Sequence, residues 1–251
     1  MTFICHLGFV LYFNSNPMEE TFTLTLPDRI IRGVLHFPEN KNPGFVVTCH
    51  GLFSSMESEK FIALAKTFTD AGLAAVRFDF SGCGKSTGNI SQTTVSKRIA
   101  ELAAVVRFAE NHPALGNRFG ILGSSLGGFT ALFYAAQHAV NALSVWATPY
   151  DLAEICCNIP DQDRNRLDRT FFDDAAAYHL TKILGNISNI QIIQGKKDLI
   201  VPWQHAQKIY AAVNEPKELI FFNNADHSVS EQADREKALE KSREWMIRRI
   251  S

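Results

Sequence analysis

The chain of 251 residues is 46% hydrophobic and 20% charged, enough apolar content to close one large α/β domain around a continuous core. A formal net charge of −1, with no basic block, excludes the electrostatic footprint of a nucleic-acid binder or a surface tether to membranes, and leaves a small molecule or short acyl compound as the expected partner. Five cysteines (Cys5, Cys49, Cys83, Cys156, Cys157) without C-x-x-C spacing point to a reducing cytoplasm rather than a disulfide framework, and eight scattered histidines form no ligand motif, so no metal or other cofactor is expected.

In chain order, the first feature is the apolar run FICHLGFVLYF at 3–13. No Lys or Arg precedes it and no A-x-A-like site follows, and it is too short to span a bilayer. An added strand or an early start codon is the preferred reading of residues 1–17, with a cleaved or membrane-associated segment as the alternative. The domain is expected to occupy residues 18–251. From residue 21 the pattern predicts strands over 21–26, 30–37, 44–49, 73–78, 118–123, 141–147, 189–194 and 217–222. Runs such as FVVTC and ALSVWA are nearly unbroken in apolar residues, as strands buried on two faces require, whereas the first pair alternates like an antiparallel edge hairpin. Helical spacing covers 58–72, 93–112, 125–139, 202–213 and 230–250, with Gly72 as the C-terminal cap of the first. The fold class is therefore α/β, a mostly parallel eight-stranded sheet with helices on both faces. The interval 148–188 holds no strand. A structureless loop of that length is unusual in a compact domain, so a small helical insertion that covers part of the molecule is expected there.

The sharpest local signal is Gly123-Ser124-Ser125-Leu126-Gly127, a G-x-S-x-G pentapeptide in which Ser125 is central and Ser124 is not, because Leu122 occupies the upstream glycine position for Ser124. A strand, RFGILG, ends on the first glycine and a helix begins at the serine. That turn is tight enough to strain the backbone and lifts the hydroxyl above the sheet edge, at a helix N-terminus that favours negative charge. A serine nucleophile needs a base, and the base needs a carboxylate to hold its tautomer. The loop after IQIIQG supplies Asp198 in KKDLIVP, and the loop after ELIFFN supplies His227 in NADHSVS.

The order Ser125, Asp198, His227 and the loops HGLFSS, DFSGCGKSTG, GSSLGG, GKKDLIVP and DH resemble the α/β-hydrolase fold superfamily over residues 21 to the C-terminus. The loop texts resemble single-domain serine esterases of the feruloyl and cinnamoyl esterase group, with neighbouring serine aminopeptidase and monoacylglycerol lipase-like proteins. The resemblance implies an oxyanion hole from the backbone N–H groups of Leu52 and Leu126. A helix-start position for Leu126 and a permissive Gly51 before Leu52 agree with that role. Family loops usually carry histidine where this chain has Cys83, and often where it has Ser124. Neither is nucleophile or base, so the resemblance carries over the reaction class and not the substrate.

Asp226, Asp173 and Asp174 compete with Asp198 for the acid. An adjacent carboxylate seldom faces the neighbouring ring, which leaves Asp226 as a loop anchor, and Asp79 is read as fixing its own loop. His50 is expected to be structural, and Cys49 and Cys83 to be small buried groups. Phe53, Phe171 and Phe172 are candidates for the wall of an acyl or aromatic pocket, with core packing as the competing role. The resulting expectation is a carboxylesterase-like serine hydrolase. Peptidase, thioesterase and acyltransferase use the same machinery, and a non-catalytic binding protein on the same fold is the rival of a different class.

Overall fold

The computed structural model describes residues 4–5, 9–13, 18–39, 41–156 and 158–250. Ten strands form one sheet in the order β1-β2-β3-β4-β6-β5-β7-β8-β9-β10. These are β1 (Ile4–Cys5), β2 (Phe9–Phe13), β3 (Glu19–Leu26), β4 (Arg29–His36), β5 (Phe45–Cys49), β6 (Ala74–Asp79), β7 (Phe119–Ser124), β8 (Ala142–Trp146), β9 (Ile190–Gly195) and β10 (Lys217–Phe222). The eight expected strands are present with shifts of at most two residues at their ends, and β1 and β2 extend the sheet on the β3 side. Strands β6-β5-β7-β8-β9-β10 pair in parallel; β1 to β4 are antiparallel, and β4 joins β6 antiparallel. How residues 1–17 relate to the domain rests in part on positions outside the described residues, as does Cys157.

Alternation along each parallel strand divides the core into two layers. In β5, Phe45, Val47 and Cys49 face the layer that also holds Leu102, Phe129 and Ile209, while Val46 faces Phe61, Leu64, Trp245 and Met246. The first layer belongs to helices α2 (Val95–Glu110), α3 (Leu126–Ala135) and α7 (Gln204–Ala212); the second to α1 (Glu59–Asp70) and α8 (Gln232–Ile250). α1 ends as its sequence requires: Gly72 takes a φ of 81°, its N–H bonds to the Thr69 carbonyl, and the Leu73 N–H bonds to that of Phe68. α2 starts at Thr94, whose hydroxyl accepts the Lys97 N–H. α3 stops at Ala135, short of the expected 139, because the Gln137 N–H turns to the Tyr134 carbonyl and tightens the last turn.

Between β8 and β9 the chain forms three short helices, α4 (Leu152–Cys156), α5 (Asp161–Arg164) and α6 (Arg169–Ala175), then two 3₁₀ turns at Leu180–Lys182 and Leu184–Asn186. Leu152, Ile155, Leu167, Phe171, Leu180, Leu184 and Ile187 are among its buried apolar residues. The Asp174 carboxylate pins this cap to the start of α2 by accepting the Ser96 N–H at 3.0 Å, where the helix dipole favours negative charge. A second tie joins Ser91 to Asp168 through their side chains (3.1 Å) and through the Asp168 N–H to the Ser91 carbonyl (3.0 Å).

The position of the site follows from strand order. Leaving β5 the chain pairs first with β6 on one side, then returns as β7 on the other. Diverging connections at that point open a crevice at the carboxyl ends of β5 and β7.

Candidate active site

Ser125 occupies the turn between β7 and α3 with φ 57° and ψ −125°, a conformation that non-glycine residues rarely adopt. Its surroundings explain the flanking glycines. A Cβ on Gly123 would lie 2.5 Å from the Gly127 carbonyl oxygen, and one on Gly127 would lie 2.2 Å from that of Cys49, both well inside contact distance.

His227 follows β10 and faces Ser125, with Nε2 3.1 Å from Ser125 Oγ. On its other edge Nδ1 lies 2.8 Å from Asp198 Oδ2. A carboxylate only accepts, so Nδ1 carries the ring proton and Nε2 presents its lone pair to the hydroxyl. Asp198 is held completely. Its Oδ1 accepts the backbone N–H groups of Ile200 (2.9 Å) and Val201 (2.8 Å), and Oδ2 also accepts Gln194 Nε2 at 3.0 Å. The competing acids are engaged elsewhere. Asp226 accepts the Ser228 and Ser230 N–H groups of its own turn, Asp174 holds Ser96, and Asp173 faces Arg169 at 3.4 Å.

The loop after β5 is fixed from behind. His50 donates from Nδ1 to the Gly51 carbonyl (2.7 Å) and accepts the Phe80 N–H at Nε2 (3.0 Å). Burial first, and then the neighbouring Arg98 charge, lower its pKa to about 3, so it stays neutral and holds both bonds. Arg98, fully buried on α2, donates to the carbonyls of His50 (3.3 Å), Gly51 (3.5 Å) and Leu52 (3.2 Å), with its guanidinium 4.4 Å from the Phe80 ring centroid. A trans peptide sets N–H opposite C=O, so anchoring the Gly51 carbonyl directs the Leu52 N–H the other way. A Cβ on Gly51 would be 3.8 Å from Ser125 Oγ, which puts this loop against the serine. The Leu126 N–H is the first of α3 and, like every helix-opening donor, has no partner within its helix. Asp79 anchors the neighbouring loops by accepting the Met56 (2.7 Å) and Lys85 (2.8 Å) N–H groups.

A cavity of about 410 Å³ opens over Ser125 between this loop and the cap, within the range of small-molecule pockets. Leu52, Phe53, Leu126, Ile155 and Phe171 contribute apolar wall, and Lys60, Ser124 and His227 contribute polar groups. Of the three candidate aromatics, Phe53 and Phe171 line the cavity. Phe172 lies behind, edge-on to Phe171 at 5.4 Å. Cys83 places its Sγ 3.6 Å from the Leu52 carbonyl, and burial raises its pKa. Cys49 is likewise buried and unpaired.

Sequence reasoning missed Lys60, Arg98 and Gln194. A usable signal existed for two of them: Arg98 is three residues after Val95 and four before Leu102, and Lys60 is four before Leu64, so both share a helix face with buried apolar residues. Among the described residues no helix is long and apolar enough to cross a membrane, and no group of three or more His, Cys, Asp or Glu side chains could hold a metal ion.

Residues 44–148 match the family model described as alpha/beta hydrolase fold. The mouse protein named palmitoyl-protein thioesterase ABHD10, mitochondrial, is 26% identical over 221 residues, which span 78% of this chain and 72% of that one. Among solved structures, Est1E from Butyrivibrio proteoclasticus with ferulic acid bound superposes with a TM-score of 0.82 at 21% identity, covering 91% of this chain and 98% of Est1E. The Pyrococcus furiosus esterase Pf2001 gives a TM-score of 0.77 at 21% identity over 96% of both chains. With the serine on its strained corner and the sheet order described above, these likenesses identify the architecture: the chain has the α/β-hydrolase fold.

Proposed function

We propose that the protein is a serine hydrolase that cleaves a carboxylic ester through an acyl-enzyme. The observation that carries this reading is the unbroken line from Ser125 Oγ through the His227 ring to Asp198, with contacts of 3.1 and 2.8 Å. Ser125 Oγ attacks the carbonyl carbon while its proton passes to His227 Nε2, and Asp198 stabilises the imidazolium and keeps the ring in place. The carbonyl π pair moves to oxygen, and the N–H groups of Leu52 and Leu126 hold that oxyanion. Collapse of the tetrahedral adduct expels the alcohol, which takes the proton from His227. Water activated by the same ring then releases the acid and restores Ser125.

The apolar cavity suits a small or medium acyl group against Phe53 and Phe171. Residues 18–251 act as one hydrolase domain, with 148–188 as the cap that shapes substrate choice. A reducing compartment is retained in this reading on the unpaired, buried thiols of Cys49 and Cys83. Thioester cleavage is the second reading, favoured by the name of the mouse relative. Intact nucleophile, base and acid weigh against a purely binding role.

The test is turnover of p-nitrophenyl butyrate and butyryl-thiocholine by the native chain and by Ser125→Ala. Native turnover that falls at least about a thousandfold in Ser125→Ala supports the reading, and the better substrate of the two decides the leaving-group atom, oxygen or sulfur. Equal rates in the two proteins, or no turnover of either compound by folded native protein, would overturn it.

A further inference from the structure

Lys60 lies on the sheet-facing side of α1, with Leu64 one turn on. Its ammonium stands in the wall of the cavity and donates 2.8 Å to Ser124 Oγ, the hydroxyl of the residue just before the nucleophile. Apart from that bond, its neighbours are aromatic faces: the ring centroids of Phe61 and Trp146 are 5.6 and 5.8 Å away. An ammonium carries three donors, and among the described residues only one finds an acceptor. Desolvation, and then repulsion from Arg235, lower its pKa to about 8, against the pull of Asp226 and Asp198, so the group is still largely protonated at neutral pH.

Charge balance around the cavity isolates this residue. Asp163, also in the wall, is answered by Arg166 at 3.1 Å, and His227 by Asp198 at 2.8 Å. Lys60 has only a neutral hydroxyl. A cation drawn out of water without a counter-charge is costly, and the cost is offset when a ligand brings the anion.

We propose that Lys60 and Ser124 form an anion subsite beside the nucleophile, and that the substrates carry a carboxylate which Lys60 holds while the scissile carbonyl meets Ser125. This rests on the acyl-hydrolase reading and narrows it to esters with a free acid. The acid belongs either to the acyl part, as in a monoester of a dicarboxylic acid, or to the leaving group. In both cases the ammonium donates to the carboxylate through the two protons that Ser124 leaves free.

The experiment compares mono-p-nitrophenyl esters of glutaric, adipic and suberic acid with p-nitrophenyl esters of monoacids of equal chain length. A third arm is a neutral acyl ester of 3-carboxy-4-nitrophenol. At pH 7 at least one acidic ester is expected to exceed its neutral counterpart in kcat/KM by about tenfold or more, and Lys60→Met is expected to reduce that ratio at least tenfold. Preference in the dicarboxylate arm puts the acid on the acyl side; preference in the third arm puts it on the leaving group. A native preference for neutral esters, or a ratio unchanged in Lys60→Met, overturns the subsite. Should Lys60→Met not fold, Ser125→Ala titrated with monomethyl and dimethyl adipate, and with butyrate esters of 3-hydroxybenzoic acid and of phenol, gives the same answer without turnover. Tighter binding of the acidic member of either pair supports the subsite, and no difference in both overturns it. Because that titration needs no chemistry, loss of the hydrolase reading and loss of the subsite are separately visible.

Discussion

At the scale of single residues, what was legible in the sequence was chemistry placed directly after a strand. Ser125, Asp198 and His227 each follow β7, β9 or β10, so the period-two pattern that marks the strands also marks where these side chains emerge. Lys60 and Arg98 lacked that marker. On an amphipathic helix a long cation is expected to face water, and only its phase against Leu64 or Leu102 betrays it. Lys60 also makes a pH-dependent contribution to stability. Its folded pKa of about 8 lies below the ordinary lysine value of 10.5, so between the two the unfolded chain holds a proton that the folded chain does not. Stability therefore rises with pH across this window, and below pH 8 the full penalty applies. After allowance for the solvent that reaches Lys60 through the cavity, the penalty is about 1–2 kcal/mol. In urea titrations Lys60→Met is expected to be favoured relative to the native chain at pH 7 by more than at pH 10. A stability difference that stays flat between those pH values contradicts a half-buried Lys60 charge without a direct ion-pair partner.

At the scale of elements, two turns and one helix do the positioning. The β7–α3 corner needs glycines where the carbonyl oxygens of Gly127 and Cys49 approach, and the pentapeptide makes that readable in the sequence. The β5 loop was readable only by resemblance, because its conformation depends on α2, more than forty residues away. Arg98 reaches across to three successive carbonyls there, and His50 locks the middle one. Replacing Arg98 with Met takes the guanidinium from all three carbonyls, leaves that of Gly51 to His50 and that of Leu52 to the Cys83 thiol, and loosens the Leu52 N–H. The expected result is a loss of about 3 kcal/mol in stability and about a hundredfold in kcat, with KM little changed, since the oxyanion exists only on the reaction path. A variant with full kcat and altered KM alone would instead assign Arg98 to substrate contact. The cap shows the limit in the other direction. Its existence followed from the length of the strandless interval, but its three short helices carry too few turns to show a helical period, and side-chain ties such as Ser96 to Asp174 decide where it sits.

At the scale of the whole molecule, a parallel sheet whose order reverses at β5 gathers loops from distant parts of the chain at one rim. Ser125 and His227 are 102 positions apart in sequence, and Asp198 and His227 29, yet the sheet brings all three within hydrogen-bond reach. Two-sided burial made the parallel strands conspicuous, and so made the site end of the sheet deducible. Phe172 behind Phe171 lay beyond that logic, because which of two adjacent aromatics faces a cavity is settled by the cap's packing. On the proposed reading this convergence turns Ser125 into a nucleophile. It is tested most directly by treating the folded native chain with a fluorophosphonate and locating the adduct by peptide mass spectrometry. One stoichiometric phosphonyl group is expected on Ser125, absent from Ser125→Ala and formed at least about a hundredfold more slowly in His227→Ala. An unmodified Ser125 in the folded native chain, or equal labelling in His227→Ala, would contradict it.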